Sequence, residues 1–249
     1  MTVPPEAGAK STVFRGWATR AFEAAIERNI ENVEELLRRG PRGAAFLDLG
    51  CDDGNLTLRF ASALGTTNVH GLELVEERAS LAASRGVDVQ VGDLNERLPY
   101  EDATFDVVCS HQVIEHLVDP DTFLRELFRI LKPHGLAVTS TENLASWHNV
   151  AALLLGWQPF SLSNVTQVEL GLGNPLSIHR GDYDARGSWR HVHVFSYRGL
   201  REPCCLHGFE VEAMVGAGYY PLPALIGRWD TRHAAFVTIA ARRPGRLSR

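Results

Sequence analysis

The most constraining feature of this sequence is a glycine-containing turn between an apolar run and an amphipathic run. The run Phe46–Leu49 is apolar apart from Asp48 and leads into Gly50. A second glycine, Gly54, follows four positions after Gly50. The apolar residues after Gly54 recur at helical spacing, at Leu56, Leu58, Phe60, Ala61 and Leu64. A buried strand, a tight turn and a helix N-terminus together favour a site for a nucleotide-like ligand, because glycine lets the backbone approach a ligand closely.

The residues of this turn narrow the class of ligand. The turn is neither a G-x-G-x-x-G dinucleotide fingerprint nor a P-loop, since no Gly-Lys-Ser/Thr follows it. It also carries three acids, Asp48, Asp52 and Asp53, where a phosphate would lie. Carboxylates repel a pyrophosphate, so the turn favours a ligand with hydroxyl groups or a positive charge.

Strand and helix patterns alternate after residue 44. The predicted strands are 44–49, 68–72, 87–91, 105–110 and 136–141, and the predicted helices are 54–64, 76–84 and 120–131. Repeated β-α units of this length predict an α/β fold with a parallel, doubly wound sheet and helices on both faces.

Two segments flank this alternation. Apolar residues from Phe14 to Leu37 recur at helical spacing, which predicts a helix broken near Asn29. This helix either packs on the sheet edge or covers the ligand as a lid, with Phe14, Arg15 and Trp17 near the substrate. At the other end, Ser196 is typical of an N-cap for a helix reaching about residue 207, and strands are predicted at 209–213 and 234–241.

The region 146–194 interrupts the alternation. It is rich in Gly, Asn and Ser and contains several aromatic residues, from Trp147 to Trp189. Long irregular segments in compact domains are usually functional, although a surface insertion with its own small core is the alternative.

Charge and hydropathy exclude several classes of protein. The formal net charge is −5 and no long basic run occurs, so nucleic-acid binding is not expected. No apolar run reaches the roughly 18 residues of a membrane span. Residues 1–10 lack the apolar core of a signal peptide, which leads us to expect a cytoplasmic protein.

Polar residues follow the strands where a ligand of a parallel sheet binds, at the carboxyl ends. Glu73 follows the second strand, where its carboxylate can accept two hydrogen bonds from a ribose diol. Asp93 follows the third strand and can accept from the exocyclic amine of adenine, while the backbone amide next to it, at Leu94, serves a ring nitrogen. Ser110 and His111 follow the fourth strand.

The segments DLGCDDG, Glu73, Gly92-Asp93, FDVVCSHQVIEHLVDP and LKPHGLAVTSTEN resemble the class I S-adenosylmethionine-dependent methyltransferases. The resemblance is closest to small-molecule enzymes of the quinone-biosynthesis type and covers about residues 44–143. It implies a Rossmann-like, seven-stranded, mostly parallel sheet with an antiparallel last strand, and S-adenosyl-L-methionine as the cofactor.

The resemblance also implies roles for residues. The cofactor-binding residues are Asp48, Gly50, Asp52, Gly54, Glu73, Leu74, Asp93, Leu94, Ser110 and His111. Asp48 and Gly50 would lie along the methionine part, and the Ser110-His111 turn would line the methyl-donor end. The family usually has glycine where this chain has Asp52. The side chain of Asp52 leaves less room for the cofactor to approach the backbone of the turn. The negative charge of its carboxylate is tolerable beside a cationic ligand.

Methyl transfer is an in-line displacement that also needs a base when the acceptor is an alcohol. The candidate catalytic residues are His111 and His148, although either could simply hydrogen-bond a loop. We interpret His116 as structural, because the family often has a Glu-His pair there as scaffold. His191 and His193 lie one strand step apart without a third ligand at metal-binding spacing, so no metal is predicted.

The sequence is therefore interpreted as one methyltransferase domain over residues 1–249. Its parts are an N-terminal helical lid at 14–39, a cofactor-binding core at 44–143, a substrate-side insertion at 144–195, and a C-terminal helix and strands at 196–242. The expected reaction methylates a small-molecule acceptor, with oxygen slightly favoured over nitrogen or carbon. A non-catalytic S-adenosylmethionine-binding regulatory module is the alternative, and a nicotinamide-dependent oxidoreductase is disfavoured by the turn. The oligomeric state stays open.

Overall fold

The structure is a computed structural model that describes residues 10–166, 169–180, 190–220 and 222–245, with side chains from residue 16 onwards. Its centre is a seven-stranded sheet of order β3-β2-β1-β4-β5-β7-β6. The strands are Phe46–Leu49 (β1), Val69–Glu73 (β2), Asp88–Val91 (β3), Phe105–His111 (β4), Leu131–Glu142 (β5), Glu210–Ala217 (β6) and Phe236–Arg242 (β7). Strand β7 pairs antiparallel with β5 and β6, and the other pairings are parallel. The predicted Rossmann-like sheet with an antiparallel last strand is confirmed.

Helices cover both faces of the sheet. They are Lys10–Leu37 (α1), Asn55–Leu64 (α2), Glu76–Ser84 (α3), Pro120–Ile130 (α4), Trp147–Leu154 (α5) and Tyr197–Leu206 (α6). Alternate strand residues point to opposite faces. Leu47 joins an apolar core with α4 and α6, whereas its neighbour Phe46 joins a second core with α1, α2 and α3. The alternation of apolar residues thus explains why a single sheet has two cores.

The predicted break in the first helix is wrong. Helix α1 runs without interruption through Asn29, which is buried on its inner face. The Asn29 side chain donates to Ser140 Oγ at 2.7 Å and accepts from Thr238 Oγ1 at 2.9 Å. Because β5 and β7 supply these partners, a buried polar residue is satisfied without breaking the helix.

Other element boundaries move by a few residues. Strand β5 begins at Leu131, five residues before the predicted start, because Leu131 pairs with Phe105 ahead of a register shift. Helix α6 begins directly after Ser196, whose Oγ accepts from the Gly199 N–H at 3.1 Å, which confirms the predicted N-cap. Within the described segments, no helix is long and apolar enough to cross a membrane.

Candidate cofactor groove and acceptor cavity

The turn between β1 and α2 needs glycine at two positions. Gly50 and Gly54 have φ angles of 78° and 82°, in the left-handed region. A Cβ on Gly50 would lie 2.6 Å from Val113 Cγ2, and one on Gly54 would lie 3.0 Å from Ala82. The Gly50 N–H donates to the Leu72 carbonyl oxygen at 2.8 Å. The turn is therefore held against the end of β2, with no room for side chains at the two glycines.

Asp48 is buried beneath this turn. It is 4% exposed, and its Oδ2 accepts from Thr57 Oγ1 at 2.6 Å. Burial raises the pKa of the Asp48 carboxyl from 3.8 to about 7, and the nearby Glu73 charge adds to that rise. A cationic ligand in the groove would favour the ionised carboxylate.

Glu73 is fixed at the carboxyl end of β2. Its Oε2 accepts from the Asp52 N–H at 2.9 Å, and its Oε1 accepts from the Val75 N–H at 3.0 Å. A carboxylate oxygen has two lone pairs, so both oxygens keep acceptor capacity for a diol. Leu74, next in the chain, is 63% exposed and offers an apolar surface beside this carboxylate.

Asp93 is held in a similar way at the end of β3. Its Oδ1 accepts from the backbone N–H and the side-chain amide of Asn95, both at 2.8 Å. The Asn95 Oδ1 in turn accepts from the Val118 N–H at 2.7 Å, which ties this corner to the segment after β4. The side chain of Leu94 is buried. The Asp93 carboxylate is thus oriented before any ligand binds.

The Asp52 side chain is engaged with α3. Asp52 has a φ of 47°, and its carboxylate forms a two-point ion pair with the Arg78 guanidinium. This hydrogen bonding keeps the pKa of Asp52 below its usual value. The charge of the residue that departs from the family pattern is therefore neutralised by Arg78, and its backbone N–H positions Glu73. Sequence reasoning missed this ion pair, although Arg78 falls in the first turns of a predicted helix.

Ser110 and His111 end β4. Ser110 Oγ is buried and has no hydrogen-bond partner among the residues that the structure describes. His111 Nε2 lies 3.2 Å from the Asn29 side-chain amide, and the ring meets Phe60 edge-on. Because the amide donates, Nε2 accepts and the proton of the neutral ring is on Nδ1. Burial lowers the pKa of His111 to about 4.

A cavity of about 390 Å³ opens beyond the carboxyl ends of β5 and the start of β7. Its apolar and aromatic wall comes from α1, the insertion and the C-terminal strands, and includes Trp17, Phe22, Phe160, Leu176, Tyr220 and Phe236. Its ionisable wall contains His116, Glu142, His148 and His191. A cavity of this size and lining suits a small organic molecule.

Of the aromatic residues predicted to form the lid and the acceptor pocket, only some are described at the cavity. Trp17 lines the cavity, whereas the side chains of Phe14 and Arg15 lie outside the described ones. Trp147 instead donates from Nε1 to Tyr219 Oη at 2.7 Å and stacks on His233. Trp189 lies outside the described residues.

His148 lines the cavity, unlike the other candidate base, His111. Its Nε2 lies 3.4 Å from Ser146 Oγ, and its ring packs edge-on against Phe160 and Tyr220. Burial lowers the pKa of His148 to about 4, so the imidazole is neutral at pH 7. The Tyr220 hydroxyl is buried and has no hydrogen-bond partner within the described part of the chain.

His191 lines the cavity whereas His193 does not, and Glu115 and His116 lie beside His191. His193 Nε2 lies 3.3 Å from the Val118 carbonyl oxygen, outside the cavity wall. The rings of His191 and His116 have centroids 4.9 Å apart, and Glu115 lies beside them. Burial raises the pKa of Glu115 to about 7 and lowers that of His116. Sequence spacing could not find this cluster, because α4, β5 and most of the insertion lie between Glu115 and His191 in the chain.

Comparisons with known proteins agree with the fold and the turn. A family described as "Methyltransferase domain" matches residues 47–139. A probable S-adenosylmethionine-dependent methyltransferase of Mycolicibacterium smegmatis is 37% identical over 118 residues, which are 47% of this chain and 45% of that protein. A ubiquinone biosynthesis O-methyltransferase of Maricaulis maris is 32% identical over 127 residues, 47% of this chain and 50% of that protein. This chain thus spans about half the length of the curated relatives it matches.

A solved structure extends the fold comparison to most of the chain. It is a Thermotoga maritima S-adenosylmethionine-dependent methyltransferase, described as a possible histamine N-methyltransferase. It has a TM-score of 0.58 and 20% identity, and the match covers 91% of this chain and 94% of that one. The matched residues 47–139, the glycine turn and the strand order together support a class I methyltransferase that uses S-adenosylmethionine, and the solved structure shows that this fold extends over most of the chain.

Proposed function

We propose that this chain transfers a methyl group from S-adenosylmethionine to a small molecule held in the 390 Å³ cavity, with oxygen as the favoured acceptor atom. The observation that carries this proposal is the arrangement of the sheet edge. The glycine turn and Glu73 lie at the ends of β1 and β2, and the apolar cavity opens beyond β5 at the same edge. In parallel sheets this edge is where ligands bind.

The groove residues fit the cofactor chemically. Glu73 has acceptor capacity for the ribose hydroxyls, and Asp93 is oriented to accept from the adenine amine. Leu74 offers an apolar surface for the adenine ring. Ser110 Oγ, which is buried without a hydrogen-bond partner among the described residues, could bond the cofactor at the methyl-donor end, and Asp48 would supply negative charge when a cationic ligand favours its ionised form. The extra carboxylate of Asp52 is the one feature that favours a non-catalytic module, and its pairing with Arg78 weakens the case for that alternative.

The cavity favours a flat, apolar acceptor with an acidic hydroxyl. Aromatic walls suit a ring, and His148 is a neutral but weak base because burial lowers its pKa to about 4. A weak base removes a proton more readily from a phenol, with a pKa of about 10, than from an aliphatic alcohol. Relatives named ubiquinone biosynthesis O-methyltransferases support oxygen as the acceptor atom.

Isothermal titration with S-adenosylmethionine tests the cofactor half of the proposal. Glu73→Ala and Asp93→Ala should each weaken binding by about 10- to 100-fold, since each removes hydrogen bonds to a charged group. Glu77→Ala is the matched control, because this acid on α3 is exposed and outside the groove contacts. Wild-type affinity in both groove variants would refute the site.

Turnover tests the acceptor half. The proposal expects S-adenosylhomocysteine to form with at least one member of a panel of phenols, and His148→Ala to lower kcat. Tight cofactor binding without turnover on phenols, aliphatic alcohols and amines would favour the regulatory module.

A further inference from the structure

Three potential metal ligands meet in the wall of the acceptor cavity. Glu115, His116 and His191 each offer one ligand atom, and these atoms lie within 4.8 Å of one another. His116 and His191 line the cavity, while Glu115 is fully buried behind them. The cluster joins the 3₁₀ turn Ile114–His116, which follows β4, to the end of the insertion at His191.

Backbone carbonyls orient both imidazoles. His116 Nδ1 lies 3.1 Å from the Arg190 carbonyl oxygen, and His191 Nδ1 lies 2.7 Å from the Ser161 carbonyl oxygen. A carbonyl oxygen only accepts, so each Nδ1 carries the proton and each Nε2 keeps its lone pair. An Nδ1–H bonded to a carbonyl is the usual support of a histidine that binds a metal through its other nitrogen.

The Glu115 carboxylate is an independent sign that the cluster has a ligand. Glu115 is 0% exposed, and its Oε2 accepts from Thr141 Oγ1 at 2.9 Å. Its Oε1 is buried and has no hydrogen-bond partner among the described residues. A buried carboxylate oxygen without a partner is costly, and a bound cation would remove that cost.

We propose that Glu115, His116 and His191 bind one divalent transition metal ion, such as Zn²⁺ or Mn²⁺. Two imidazoles with one carboxylate suit these metals, whereas Mg²⁺ and Ca²⁺ prefer oxygen ligands throughout. Ligand atoms around a tetrahedral Zn²⁺ lie about 3.4 Å apart, so the three ligand atoms, which now lie within 4.8 Å of one another, would move closer together on binding. Glu142 Oε2, 3.8 Å from His191 Nδ1, places further negative charge beside the site.

The position of the cluster gives the class of ligand that completes the metal site. Three protein ligands leave a coordination position open, as in catalytic metal sites. Since both histidines line the cavity, this position faces the acceptor. It would take an oxygen or nitrogen atom of the acceptor molecule, an assignment that rests on the proposed function.

Metal binding itself is measured without the methyl donor. The full chain is first dialysed against a chelator and then titrated with Co²⁺, whose visible absorption reports imidazole and carboxylate coordination. Wild type should bind one ion per chain, and Glu115→Gln and His191→Ala should each weaken binding by at least about 10-fold. His193→Ala is the matched control, because it removes a histidine of the same segment that lies outside the cluster.

Two results would overturn the proposal. One is wild type without a stoichiometric Co²⁺ signal, and the other is equal Co²⁺ affinity in His191→Ala and wild type. Circular dichroism and S-adenosylmethionine titration of each variant check that it is folded. If only the metal proposal is wrong, wild type will bind S-adenosylmethionine but not Co²⁺. If the proposed function is wrong, wild type will not bind S-adenosylmethionine.

Discussion

Replacing the buried Asp48 with asparagine should flatten the pH dependence of stability. Burial raises the pKa of this carboxyl to about 7 in the folded state, above the 3.8 of an exposed aspartate. Between these values the folded state holds a proton that the unfolded state has released. Stability therefore falls as the pH rises through this window.

The size of the effect follows from the two pKa values. One pKa unit corresponds to about 1.4 kcal/mol, and the Asp48 contribution to the free energy of unfolding should fall by about 2 kcal/mol between pH 5 and pH 7. Above the folded pKa the loss levels off. Asp48→Asn keeps the shape of the residue and can still accept from Thr57 Oγ1, but it does not titrate.

Urea denaturation, followed by circular dichroism from about pH 5 to about pH 8, measures this slope. Glu101→Gln is the control, because the Glu101 side chain is exposed to solvent. The chelator-treated protein is used, because a bound cation would hold Glu115 ionised. In that protein Glu115, whose pKa burial also raises to about 7, should contribute a slope of the same sign that persists in Asp48→Asn. An Asp48→Asn protein whose stability falls with pH as steeply as that of wild type would show that Asp48 is ionised throughout, contrary to this reasoning.

Two further variants test the turn and one helix start. Asp52→Gly should leave S-adenosylmethionine affinity within about threefold of wild type by calorimetry, since Arg78 already neutralises the carboxylate and a surface ion pair contributes little; a loss of tenfold or more would mean that the side chain contacts the cofactor. Ser196→Ala should lower the free energy of unfolding in urea by about 1 kcal/mol, because the hydroxyl caps the Gly199 N–H, and an unchanged value would show that solvent replaces the cap.

The elements of the fold that are set by residues close together in the sequence could be predicted. Helix α3, Glu76–Ser84, has the predicted bounds, and Ser196 caps α6 as expected, because local periodicity and capping set both. The wrong break in α1 has a non-local cause. In the sequence alone, Asn29 is a polar residue on an apolar helix face and indicates a break. In the structure, Ser140 and Thr238 of distant strands satisfy its side chain, so the helix continues.

The candidate site divides in the same way. Glu73 and Asp93 could be proposed as site residues because each follows a predicted strand within two positions, and parallel strands bring their ends to one edge. The partner of Asp52 could not be read from spacing alone, since it depends on how α3 packs on the turn. The grouping of Glu115 with His191 depends on the path of the insertion, which no periodic pattern determines.

This division explains which relatives are informative for which half of the site. The family match covers residues 47–139, which contain the glycine turn, Glu73 and Asp93. The cavity wall contains Trp17, Phe160 and Tyr220, which all lie outside that match. None of these three residues makes one of the groove contacts of Glu73 or Asp93, so the acceptor can differ among proteins that share the methyl donor. The proposed acceptor must therefore be determined from the cavity itself, through turnover of phenols and through the ligand that would complete the proposed Glu115–His191 metal site.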